Sequence, residues 1–142
     1  MIQEILDGAK ALGACNKTDG ITTAEQLASL FFSPQGREFC AKHNYPTLQM
    51  WREIKQRIPN LEDMGIYVDA KDVEVGNREY VAFIGKTTGC VSFTNNDCVY
   101  HLILQHGAQA EVRAQNYAVY EVLQYDKESH CTNTKDNTAI KL

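Results

Sequence analysis

Proline is scarce in this chain. Three occur in 142 residues, at positions 34, 46 and 59, and none follows. Proline interrupts β ladders, so the stretch after Pro59 is free to pair as strands. Long apolar runs are lacking too. None approaches the roughly 20 residues of a membrane-spanning helix, so no membrane association is expected. The opening Met1-Ile2-Gln3-Glu4 has neither the basic nor the apolar region of a signal peptide, which predicts a protein kept inside the cell that makes it. Basic charge is in short supply: 14 Lys and Arg face 18 Asp and Glu, for a net charge of −4. Phosphate contacts supply most nonspecific nucleic-acid affinity, so no nucleic-acid partner is expected. Arg52, Lys55 and Arg57 read as one solvated helix face.

Catalytic signatures are also missing. The phosphate loop, the dinucleotide fingerprint, His-Glu-x-x-His and Cys-x-x-Cys do not occur. The five cysteines, Cys15, Cys40, Cys90, Cys98 and Cys131, are odd in number and read as small buried hydrophobes rather than a disulfide framework. No catalytic residue, metal ligand set or cofactor is assigned. Cys40 and His43 stand three apart on an expected helix and supply at most half a zinc site.

What is present divides at about residue 62. Residues 1–62 read as helices. Ile2, Ile5, Leu6, Ala9 and Leu12 follow helical spacing, and the polar run 16–20 ends that segment. Thr22 with Glu25 fits a capping box. Ser33 suits an N-cap before Pro34 at the first helical position, and Thr47 caps the segment carrying Leu48, Trp51, Ile54 and Ile58. Residues 63–142 switch to short runs of β-branched and aromatic residues, such as Tyr80–Ile84 and Cys98–Leu104, parted by Asn, Asp, Gly and Thr clusters. This half carries the whole net charge of −4.

Apolar residues in the second half return about every twenty positions. Val73, Val91, Ala110 and His130 form one column, and Val75, Phe93, Val112 and Thr132 a second. Val81, Tyr100, Tyr120 and Ile140 form a third, and Phe83, Leu102, Val122 and Leu142 a fourth. A fixed period of this size predicts stacked strands. The expected fold is α+β: an N-terminal helical cap, then a short parallel β-solenoid, with an antiparallel β-sandwich or meander as the alternative. In such a stack Val99, His101, Val119 and Glu121 face away from the core, and Ile140 and Leu142 lie on a final rung whose edge is open to a neighbour. His106, beside Gly107 between two strands, is a turn residue or the centre of an unrecognised active site.

The segment Phe32-Ser33-Pro34-Gln35-Gly36-Arg37-Glu38-Phe39-Cys40-Ala41-Lys42-His43, with Pro46-Thr47, Gln105-His106-Gly107-Ala108 and Asp136-Asn137-Thr138-Ala139-Ile140, resembles small uncharacterised proteins of phages and integrated elements of gut bacteria. The resemblance implies a phage or mobile-element setting, in a bacterial host's cytoplasm or on a virion, and carries no catalytic or binding residues. The expected function is a non-enzymatic interaction or structural protein that binds a protein partner or itself. An acidic inhibitor of a host defence protein, occupying a basic surface, is the alternative binding role.

Overall fold

The computed structural model describes residues 2–14 and 18–142. Cys15, Asn16 and Lys17, which include part of the expected helix stop, lie outside the described residues. The chain divides into two compact units, 1–64 and 65–142.

The first unit holds α1 (Ile2–Ala11), α2 (Ala24–Phe32), α3 (Pro34–His43), α4 (Leu48–Arg57) and a 3-10 turn (Leu61–Met64). Ile5, Leu6 and Ala9 form the buried face of α1. Leu12 falls beyond the helix end and is exposed. The capping box sits one residue later than the sequence suggests. Thr23 Oγ1 accepts the Gln26 N–H at 3.1 Å, and Gln26 Oε1 accepts the Thr23 N–H at 3.1 Å. The Gln26 amide oxygen also takes the Thr22 N–H at 2.9 Å, so Gln26 satisfies two donors at the helix entrance, where Glu25 was expected to act. Ser33 and Thr47 cap as expected. Ser33 joins two helices: its hydroxyl donates to the Leu30 carbonyl at 2.6 Å and accepts the Gly36 N–H at 3.0 Å. Tyr45 sends its hydroxyl to the Ile5 carbonyl at 2.6 Å, tying the α3–α4 connection to α1. Trp51 packs edge-on to Phe31 with ring centroids 5.1 Å apart.

The second unit holds nine strands: β1 (Ile66–Val68), β2 (Val73–Gly76), β3 (Tyr80–Ile84), β4 (Thr88–Phe93), β5 (Val99–Gln105), β6 (Gln109–Ala114), β7 (Val119–Gln124), β8 (His130–Lys135) and β9 (Ile140–Lys141). Odd strands form one sheet in the order β1-β3-β5-β7-β9, and even strands form another in the order β2-β4-β6-β8. Both fold expectations are corrected here. Every strand pair is parallel, which overturns the antiparallel sandwich or meander. In place of a closed solenoid there are two separate parallel sheets, of five and four strands. Successive strands simply alternate between them, each repeat making two reversals.

The column register also changes. Val81 pairs with Leu102 rather than Tyr100, and Val75 pairs with Val91 rather than Phe93. Tyr100 does pair with Tyr120, and Leu102 with Val122, as the columns had it. Steps are 16 residues from β1 to β3 (Ile66 to Ala82) and 21 from β3 to β5 (Val81 to Leu102). A parallel strand slipped by two keeps the same face buried, so hydrophobic pattern alone does not separate these registers.

The core between the sheets draws Val81, Phe83, Leu102, Leu104 and Tyr120 from one side and Val91, Phe93 and Val112 from the other. Phe93 stacks on Tyr100 at 4.6 Å and tilts against Tyr120 at 5.4 Å. The two buried phenols reach polar partners: Tyr100 donates to Asp97 Oδ1 at 3.3 Å and Tyr120 to Asn133 Oδ1 at 3.0 Å.

The reversals are held by bonds that run from one repeat to the next. Asp69, Gly85 and His106 each follow directly on residues paired across the sheet, and all three have positive φ, at 50°, 68° and 60°. Asp69 Oδ1 accepts the Lys86 N–H at 2.8 Å, and Asp126 Oδ2 accepts the His106 N–H at 2.5 Å. At the opposite reversals Asn77 exchanges two bonds with Thr94, and Thr138 accepts the Tyr117 N–H.

Candidate interaction surface

β8 and β9 are the outer strands of their sheets. In β8 the N–H of His130 points to the Ala108 carbonyl just before β6, and just past the strand the N–H of Asp136 points to that of Ala114. Strand alternation then directs the N–H groups of Cys131, Asn133 and Lys135 away from β6. β8 is six residues long, contains no proline, and is exposed at five of its six positions. An edge of this kind presents a row of backbone donors and acceptors. β9 pairs with β7 only at Ile140 and Lys141, and the Leu142 N–H adds a bond to the Tyr120 carbonyl.

Apolar side chains are exposed at the β9 end of the other sheet. Ile140 is 54% exposed and Leu142 66%. Ile140 pairs with Val119, which pairs with Val99, so the three form one row across the sheet, and Val99 is itself exposed. The β6–β7 turn adds Tyr117, 66% exposed with φ +61°. Left-handed backbone is a true outlier for a bulky residue. Sequence reasoning did not single out Tyr117; its place after Asn116 in the Gln115-Asn116 turn cluster was the only available signal.

One row along the same face lie Tyr80, His101 and Glu121, paired across β3, β5 and β7. His101 Nδ1 is 2.5 Å from Glu121 Oε1, and the Tyr80 ring stacks on His101 at 5.1 Å and 9°. The structure thus brings two of the expected contact residues together and adds a third, Tyr80. Ile140 and Leu142 lie at the edge of this sheet.

His106 stands elsewhere, in the β5–β6 turn. Asp126 and Ser129 organise that turn: the Asp126 carboxylate accepts the His106 N–H, the Ser129 N–H at 3.0 Å and the Ser129 hydroxyl at 2.8 Å. Ser129 Oγ in turn accepts the Gly107 N–H at 3.1 Å. Burial by itself raises the Asp126 pKa; the bonds from Ser129, His106 and Gly107 outweigh it and hold the carboxyl below its ordinary value. A carboxylate with a depressed folded pKa stabilises above its unfolded pKa, and that contribution is lost as pH falls through the folded value. The amide signals of His106 and Ser129 should therefore titrate together with a midpoint below 3.8, the group's ordinary value. Asp126→Asn should abolish that titration and cost about 1 kcal/mol at neutral pH, a figure discounted for solvent screening. Amide signals that stay flat down to pH 2 in the parent protein would contradict this account.

Cys40 and His43 share α3, where Cys40 is buried and the His43 ring lies 4.6 Å from Phe39. Among the described residues no three His, Cys, Asp or Glu side chains gather as a metal site. No described helix is long and apolar enough to cross a membrane. No family model, curated protein or solved structure matches this chain.

Proposed function

We propose that this protein is a non-enzymatic interaction module that takes up an extended segment of a partner protein as an added strand on β8. The open β8 edge carries this reading, with its outward N–H groups at Cys131, Asn133 and Lys135. Ile140 and Leu142 lie at the end of the other sheet, beside β7, and form a separate exposed apolar patch there. The net charge of −4 favours a partner whose docking segment is flanked by basic residues. The resemblance to proteins of phages and integrated elements supports a setting in a bacterial host's cytoplasm or on a virion.

The test is hydrogen exchange on a stoichiometric complex purified from host cells. Strand addition slows exchange at Cys131, Asn133 and Lys135. Lys135→Pro removes one outward donor and leaves the β6 ladder intact, and it should lower affinity at least tenfold while the circular dichroism stays unchanged. Protection confined to other surfaces, or full affinity in the folded Lys135→Pro variant, would refute the reading. Concentration-dependent protection of β8 in the isolated protein would identify the added strand as a second copy instead of a partner.

A further inference from the structure

The helical unit contains an apolar pocket of about 140 Å³. Leu6, Leu30, Phe31, Phe39, Tyr45 and Trp51 are among its large apolar wall residues. Its aromatic rings are fixed against one another: Phe31 meets Trp51 edge-on, and Phe39 meets Tyr45 at 6.0 Å and 80°. The pocket opens to the surface among helices of nine or ten residues, and its wall is almost wholly apolar.

The polar side chains on the wall are few: Thr18, Gln35, Cys40 and Tyr45. The Tyr45 hydroxyl is already bonded to the Ile5 carbonyl. Cys40 is buried, and burial pushes its thiol pKa up to about 12, so it remains neutral at physiological pH. The pocket matches in volume an apolar cavity of roughly 150 Å³ that accepts benzene or xenon, and its wall offers water few polar partners. The wall carries no charged side chain to pair with a charged ligand, so an uncharged one is favoured.

The geometry points to a binding site in the helical unit for a small, uncharged apolar molecule about the size of one aromatic ring. It is independent of the β8 edge, which belongs to the other unit. Ala9 lies on the wall and on the buried face of α1, so Ala9→Leu projects three further carbons into the space.

Benzene is the probe, with benzoate as a ring of the same size bearing a charge. In the intact chain, benzene should shift the methyl resonances of Ile5, Leu6 and Leu30 saturably and raise the melting temperature by a few degrees. Benzoate should do neither. Ala9→Leu should remove the benzene response while Trp51 fluorescence remains that of a buried ring; Leu30→Phe serves the same purpose if Ala9→Leu does not fold. Xenon, added to the parent protein, locates the site without any substitution. Unsaturable benzene shifts, xenon shifts spread over the surface, or an equal benzene response in a folded filled variant would overturn the assignment.

Discussion

Replacing Gly36 with alanine should unfold the helical unit or cost it about 3 kcal/mol, although alanine is the better helix former. A Cβ at position 36 would stand 1.8 Å from the Leu30 carbonyl oxygen, 2.9 Å from the Leu30 carbonyl carbon and 3.0 Å from the Phe31 oxygen. All three are backbone atoms at the end of α2, and no rotamer change moves them. Intrinsic propensity favours alanine by about 1 kcal/mol. Overpacking against fixed atoms costs typically about 1–3 kcal/mol and occasionally more, and a 1.8 Å approach lies at the severe end. The clash wins. Relief would require α3 to move off α2, straining the bond from the Ser33 hydroxyl to the Leu30 carbonyl. Trp51 is the sole tryptophan and is 2% exposed, so its fluorescence reports this unit directly. A Gly36→Ala variant with a raised melting temperature would show that propensity outweighs the contact and that the α2–α3 crossing is wrongly placed.

Phe93→Ala should cost the strand unit about 3–5 kcal/mol, the range for emptying a fully buried phenylalanine site. Phe93 has no exposed surface and lies between the rings of Tyr100 and Tyr120. Its neighbours come from β5 and β7 in the opposite sheet, so one substitution loosens the packing that holds the sheets together. Collapse into the space is restricted, because Tyr100 and Tyr120 are tethered through their hydroxyls to Asp97 and Asn133. Phe93→Leu should cost about 1.5 kcal/mol or less, since most of the volume is kept. Denaturant unfolding followed by near-ultraviolet tyrosine dichroism distinguishes the two variants. Equal, small losses for both would mean that the inter-sheet core is not packed around Phe93.

Particular residues show how far sequence patterns reach. Ser33, Pro34 and Thr47 were legible because a cap is decided by a few consecutive residues and their own backbone donors. The capping box was misplaced by one residue because Thr22 and Thr23, like Glu25 and Gln26, offer equivalent chemistry, and only the helix start at Ala24 separates them. The Tyr100–Tyr120 step was legible, and it carries the neighbouring His101–Glu121 pair with it. Tyr80 was missed for the converse reason: aligning Val81 with Tyr100 instead of Leu102 places Tyr80 opposite Val99, away from His101.

The amino-acid order by itself determined the helical first part, the change to strand-like runs near Gly65, the repeat of about twenty residues and the caps. These depend on local periodicity and on side-chain bonds to nearby backbone. Tertiary structure decided the strand register, the division into two parallel sheets and the apolar pocket. Register followed from the length of each reversal and from which residues there adopt left-handed backbone, including Tyr117, which is poorly suited to it. The pocket followed from how α1, α2, α3 and α4 meet, and a void leaves no signature in the residues that surround it.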